Sequence, residues 1–147
     1  MDRNAIVAEI RKWQGQYNAY KQKITQDERD IEKLEHIRAR LREQLNNFMS
    51  YLQKRRNKLN KYAYLTSSSR IAERFIKGMQ SNIDGADSWR IANNLNHSVD
   101  DVSSQIKRLE NEIDDFRGKM NQCANNYNYW VRQLQAHDAA AAAGNQG

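Results

Sequence analysis

Apolar residues recur at alternating intervals of three and four along most of this chain, and polar residues fill the positions between them. One series runs from Ile6 to Tyr62, interrupted only by three charged residues, and a second runs unbroken from Leu95 to Leu134. This alternation is typical of a coiled-coil seam, because a slightly underwound helix keeps such a line of side chains facing its partner. The pattern therefore predicts two long α-helices that pair along a narrow seam.

The first long helix is predicted over residues 2 to 64, since Asp2 or Asn4 can cap its first turn and no breaker follows. The run of small polar residues 66 to 69 predicts a loop. A short amphipathic helix is predicted over residues 69 to 83, where apolar side chains again recur at helical spacing.

Asp84-Gly85-Ala86-Asp87 predicts a break after the short helix, and Asp87 or Ser88 can cap the next one. The second long helix is predicted over residues 88 to 137. The tail, residues 138 to 147, holds five alanines followed by Gly-Asn-Gln-Gly, which predicts a flexible end. Because alanine favours helix, a helical continuation is the alternative.

Composition narrows the fold class. The chain has 147 residues, no proline and six glycines, and 29% of its residues are charged. So polar a chain cannot fill a broad core, and the lack of proline removes the strongest helix breaker. We therefore expect one all-α domain, residues 1 to 137, in which two long helices form an antiparallel coiled-coil hairpin with a short helix in the connection. The same seam also permits pairing between chains.

Charged residues on the seam suggest a register for the two long helices. Aligning Tyr62 with the start of the second long helix pairs residues whose numbers add to roughly 150 to 155. A charge on a seam is costly unless it is paired. In this register two arginines meet acidic residues, Arg38 with Asp114 and Asp115, and Arg55 with Asp100 and Asp101.

Two groups of residues are candidates for the seam and for partner contacts. The predicted seam residues are Ile24, Leu34, Leu41, Phe48, Leu109, Ile113 and Phe116. The predicted register also brings six aromatic residues together at the open end of the hairpin, namely Trp13, Tyr17, Tyr20, Tyr127, Tyr129 and Trp130. These rings are either ordinary seam residues or an adhesive end for a partner helix, since Trp and Tyr concentrate at interfaces.

The sequence carries no catalytic or metal-binding motif, so we expect no enzyme activity, no cofactor and no metal. The three histidines are far apart and lack a second ligand at suitable spacing. Cys123, the single cysteine, lies on the second series and is interpreted as a buried apolar residue. No apolar run is long enough to span a membrane, and the N-terminus lacks the apolar segment of a signal peptide.

Charge is unevenly distributed along the chain. Residues 1 to 62 hold 15 Lys and Arg against 8 Asp and Glu, whereas residues 63 to 147 hold 9 against 10. This complementarity favours contact between the two helices as well as with an acidic partner. Residues 54 to 61 contain five cations, which suggests either a solvated face near the helix C-terminus or contact with nucleic acid or an anionic surface.

Two segments resemble parts of a known protein family. Residues 68 to 75, Ser-Ser-Arg-Ile-Ala-Glu-Arg-Phe, are similar to a central segment in which a small residue and a phenylalanine follow a turn, and residues 106 to 113 are similar to the returning helix. The layout resembles the small helical-hairpin proteins associated with bacterial type VII secretion, which are relatives of WXG-type proteins and include accessory partners of LXG-type toxins.

The resemblance implies a non-enzymatic protein that packs against the helical N-terminal domain of a secreted effector and presents it for export. An exposed apolar seam would then complete a helix bundle with that partner. The face of the short helix formed by Ile71, Phe75 and Met79 is a second candidate for partner contact. The expected location is the cytoplasm, with co-secretion through a specialised export system as the alternative.

Three functions remain open from the sequence. The first is a binding module, an adaptor, chaperone or co-secreted partner of an effector. The second is a homo-oligomeric structural coiled coil or an accessory rod of an export apparatus. The third is binding to nucleic acid or an anionic surface through residues 54 to 61.

Overall fold

The structure of the protein is a computed structural model that describes residues 1–65 and 70–145, with side chains for 1–62 and 70–145. It contains three helices, α1 (Arg3–Leu65), α2 (Arg70–Asp84) and α3 (Ala86–Asn145), and no strand within those residues. The predicted all-α class, with two long helices and a short one between them, is confirmed. The predicted loop at 66 to 69 lies outside the described residues.

Helix α1 begins at Arg3 because Asp2 caps its first turn. The amide of Asn4 donates to Oδ1 of Asp2 over 2.9 Å, and the carbonyl oxygen of Asp2 accepts from Ala5 and Ile6 over 3.1 Å each. These bonds satisfy amides that have no partner within the helix. Of the two predicted caps, the structure thus uses Asp2.

The break between α2 and α3 lies at Gly85. The amide of Trp89 donates to the Gly85 carbonyl over 3.2 Å, so Gly85 stands at the N-cap, two residues before the predicted Asp87. The Ser88 hydroxyl instead donates across the break to the Asn82 carbonyl over 3.1 Å. The prediction that Asp87 or Ser88 caps this helix was therefore wrong.

Helix α3 continues past His137 to Asn145, through the five alanines. Alanine has the highest helix propensity of any residue, so a helix already packed on a partner extends easily through such a run. The structure therefore has the helical continuation, and the flexibility of the tail stays a prediction.

The chain forms two compact units, and the first comprises Met1–Glu32 and Lys107–Gly147. Here α1 and α3 run antiparallel. Nε of Arg3 donates to Asp138 over 3.0 Å, and this bond lowers the pKa of Asp138. Further along, Arg117 lies 3.9 Å from Glu28. The buried apolar residues of this unit alternate along the two helices as a seam requires: Ile6, Ile24, Leu109, Ile113 and Cys123.

The second unit, Lys33–Ile106, contains all of α2. Its core cluster consists of Leu59 from α1 with Ile76 and Ile83 from α2, and Leu52 and Met79 pack against it. Burial of each such aliphatic side chain contributes roughly 1.5–3 kcal/mol relative to exposure. Helix α2 is thus held against the last turns of α1 by its own apolar face.

This packing changes the register of the pairing. Because α2 itself packs on the end of α1, it forms the first segment of the returning arm. In the second unit Arg38 meets Ser103 and Arg56 meets Asp84, so the numbers of facing residues add to about 140. The prediction of 150 to 155 was wrong, since it aligned the end of the first helix with the start of the second long helix.

The two predicted charge pairings change with the register. Nη1 of Arg38 donates to the Ser103 hydroxyl over 3.3 Å, eleven positions before Asp114, whose carboxylate lies 3.6 Å from Arg117. The pairing of Arg38 with Asp114 and Asp115 was therefore wrong. Arg55 lies against Tyr51 of its own helix. Among the described residues no ion pair joins Arg55 to Asp100 or Asp101, so its predicted pairing was also wrong.

The residues predicted to form the seam are all withdrawn from solvent to some degree. Ile24, Leu109 and Ile113 are buried, and Leu34, Leu41, Phe48 and Phe116 are half-buried. Such a thin line of burial fits a chain with few apolar residues. It holds helices together without building a broad core.

Candidate partner-binding site

The second unit has a groove of about 590 Å³ where α2 packs on α1. Its volume lies within the range of small-ligand sites, and the groove is partly open to solvent. We call it the α1/α2 groove. It is lined by Tyr51, Lys54, Arg55, Asn57, Lys58, Leu59, Tyr62, Phe75, Met79 and Ile83.

The base of the α1/α2 groove is apolar and is held in place by the core. Leu59 and Ile83 are buried members of the core cluster, and Met79 packs against that cluster. Phe75, one helical turn before Met79, also lines the groove, but 67% of its surface remains exposed. The groove therefore has a buried apolar base beside three largely exposed aromatic side chains, Tyr51 and Tyr62 from α1 and Phe75 from α2.

The apolar surface continues along α2 beyond the groove. Ile71, one turn before Phe75, is 83% exposed. An adjoining depression of about 210 Å³ shares Leu59 and Phe75 with the groove and adds Ile76. The predicted partner face of Ile71, Phe75 and Met79 thus lies on one side of α2, next to concave surface. Single exposed apolar residues are ordinary, whereas a contiguous group of them marks an interaction surface.

Cations line the α1 side of the groove. Lys54, Arg55 and Lys58 belong to the predicted basic run and line the groove together. The Arg55 guanidinium donates to the Tyr51 hydroxyl over 3.1 Å and lies over its ring. Among the described residues no ion pair joins these three cations to a carboxylate. The basic run and the apolar face of α2, which we predicted as separate features, therefore form two walls of one groove.

The other cations of the run lie elsewhere. Arg56 forms an ion pair with Asp84, the last residue of α2, and so joins the two helices of this unit. Lys61 is exposed and does not line the groove. The positive charge is therefore divided, as expected for consecutive residues on a helix.

The predicted aromatic end lies in the first unit and does not form one cluster of six rings. Tyr20 packs on Phe116 with a centroid distance of 5.8 Å. Tyr129 and Trp130 meet edge to face at 5.2 Å, and Tyr129 remains 48% exposed. The register explains this separation, because Tyr20 faces α3 well before the position of Trp130.

Two of the remaining aromatic residues do come together. Tyr17 and Tyr127 line a shallow groove of about 300 Å³ with Ala124 and three polar residues. Nε1 of Trp13 donates to Glu9 over 3.2 Å, within the same helix. Half-buried rings that contact their own and the facing helix fit the interpretation as seam residues. Their role in partner binding stays a prediction.

The sequence did not predict that Tyr51, Leu59 and Ile83 belong to the same surface as the basic run. One signal was present, since Tyr51, Arg55, Lys58 and Tyr62 follow one another at intervals of three and four and so share a face of α1. Which part of α2 lies beside that face could not be read from spacing. It depends on the register.

No group of three or more His, Cys, Asp or Glu in the described part of the chain is arranged to hold a metal ion. None of the helices within the same residues combines the length and apolar character needed to cross a bilayer. Comparisons with family models, with curated proteins and with solved structures find no match to this chain.

Proposed function

We propose that this protein is a non-enzymatic binding module that uses the second unit to hold a helical segment of another protein. The observation that carries the proposal is the apolar surface of α2, where Ile71 is 83% and Phe75 is 67% exposed beside a concave apolar base. A helix that buries Ile76 and Ile83 and still exposes two large apolar side chains has more apolar surface than its own chain covers.

The proposed role is that of an adaptor, chaperone or co-secreted partner for a type VII secretion effector. The supporting arguments are the resemblance of layout noted in the sequence and the suitability of two paired helices for accepting a third into a bundle. In this role the protein covers the apolar face of an effector's helical domain until export.

The test is the absolute mass in solution, measured by light scattering after size exclusion, with and without co-expression of the neighbouring open reading frames. We expect a defined heteromer with a helical domain encoded next to this chain. The double variant Ile71→Glu/Phe75→Glu should abolish that heteromer, while the free energy of unfolding changes by no more than about 0.5 kcal/mol because both side chains are exposed.

The matched control is Ile37→Glu, which places a charge at another exposed apolar position of the second unit, outside the groove. It should leave the heteromer intact. A tight homo-oligomer that ignores its neighbours would contradict the proposal and support the structural coiled coil instead.

A further inference from the structure

The α1/α2 groove combines an apolar base with uncompensated positive charge on one wall. Lys54, Arg55 and Lys58 line it without a carboxylate partner among the described residues, whereas the neighbouring Arg56 points to Asp84 at the end of α2 and forms an ion pair with it. Three cations left beside an apolar surface indicate a ligand that brings both apolar and negative groups.

We propose that the α1/α2 groove binds an acidic amphipathic helix of a partner protein, an inference that rests on the proposed function and specifies its partner's chemistry. Apolar anchors at intervals of three and four on that helix contact Leu59, Phe75 and Met79, as in other helix-in-groove complexes. Glu and Asp on the flank of the same helix face Lys54, Arg55 and Lys58. Such complementarity selects the partner and accelerates association.

A second copy of this chain is a poor occupant of the groove. In a twofold contact the same patch meets itself, so Lys54, Arg55 and Lys58 would approach their own equivalents. Like charges brought together at an interface repel each other and disfavour association. The charge of the groove therefore favours a different, acidic chain.

The direct test uses two fluorescein-labelled helical peptides of about five turns with the same leucine positions, one with Glu and one with Lys at the flanking positions. Fluorescence anisotropy measures their binding to the full-length protein. We expect the Glu peptide to bind at least about tenfold more tightly than the Lys peptide. Equal affinity for the two peptides would overturn the inference.

Variants separate the two walls of the groove. Lys54→Glu/Lys58→Glu should reverse the preference between the peptides, and Phe75→Ala, which removes apolar surface without adding charge, should weaken both about tenfold or more. The control Lys33→Glu/Arg40→Glu makes the same change in net charge at exposed positions of α1 outside the groove and should leave the preference unchanged. A control that acts as strongly as the groove variant would show that net charge alone is responsible and would overturn the inference.

Cations also attract nucleic acid, so the same variants are tested for binding to a duplex DNA of mixed sequence. DNA binding that is tight, falls steeply with salt, depends on Lys54 and Lys58 and is unchanged in Phe75→Ala would assign the cations to nucleic acid and overturn the inference.

The inference and the proposed function can fail separately. Suppose that Ile71→Glu/Phe75→Glu abolishes the heteromer and Lys54→Glu/Lys58→Glu leaves it intact. That result would overturn the inference that the partner helix is acidic, but it would still support the proposal that the protein is a binding module. Selective binding of the Glu peptide without any heteromer would support the groove's chemistry and contradict the adaptor.

Discussion

Asp27 is the residue at which this chain departs most clearly from the requirements of its own fold. It occupies a seam position of α1, only 9% of its surface is exposed, and its Oδ2 has no hydrogen-bond partner among the described residues. Burial raises its pKa above the ordinary 3.8, and the nearby carboxylates of Glu112 and Asp30 add to the effect, against a smaller opposing influence of Arg108. The ionised side chain therefore opposes folding.

Replacement of Asp27 should stabilise the protein, and the gain should depend on pH. The native state keeps its proton at higher pH than the unfolded chain does, so the stability of the wild type falls as pH rises from 3.8 through the raised native pKa. The variant Asp27→Leu has no carboxyl group at this position, so its stability does not fall with pH for this reason. It should be about 1–3 kcal/mol more stable at neutral pH, with a smaller advantage in acid.

Urea denaturation at a series of pH values measures this difference. Asp115→Asn, which changes an exposed carboxylate on α3, is the control and should shift stability by no more than about 0.5 kcal/mol. A gain for Asp27→Leu that is the same at every pH would show that the carboxylate ionises as it does in the unfolded chain.

At the scale of the elements, the junction of α2 and α3 depends on the absence of one side chain. A Cβ atom at Gly85 would collide with the carbonyl oxygen of Ser81. No glycine in the described part of the chain has a positive φ, so close approach is the reason for glycine at this position.

Gly85→Ala should therefore destabilise the protein by about 1–3 kcal/mol, since the clash is with backbone and the two helices must shift to relieve it. Gly78→Ala is the matched control within α2, because a Cβ there meets nothing within 4 Å. That substitution should stabilise by about 0.4–1 kcal/mol through helix propensity. Thermal unfolding followed by circular dichroism compares the two variants. Equal unfolding midpoints would contradict the proposal that the close approach of Gly85 to Ser81 requires glycine.

At the scale of the whole molecule, the register can be tested by chemical cross-linking within the first unit, where the numbers of facing residues add to between about 141 and 145. In a Cys123→Ala background, cysteines replacing Glu28 and Arg117, whose charged groups lie 3.9 Å apart, should be joined by a short bismaleimide. The control pair replaces Glu28 and Asn125, which face each other in the register of roughly 150 to 155. Eight residues along a helix correspond to about 12 Å, beyond the reach of a short linker.

The size of the product shows which chains are paired. We expect the Glu28 and Arg117 variant to give a cross-linked monomer, because both helices belong to one hairpin. A covalent dimer would show that the same seam pairs helices of different chains, and efficient reaction of the control pair would contradict the register.

The sequence by itself determined the class of the fold. The heptad spacing, together with the absence of proline and the low apolar content, favours long helices paired along a seam. Such a pair buries Ile24, Leu109 and Ile113 without a broad core. The sequence also marked the break around Gly85 and the apolar face of α2. These features are local, because they depend on spacing within one element.

Only the tertiary structure decided the register and, through it, the candidate site. A heptad seam accepts several offsets at similar cost, and the choice depends on whether α2 joins the pairing. Once Ile76 and Ile83 pack on Leu59, the groove lies beside Lys54, Arg55 and Lys58, and Arg38 meets Ser103. Which residues of distant segments lie side by side depends on which apolar surfaces cover each other. The periodicity within one segment does not specify that choice.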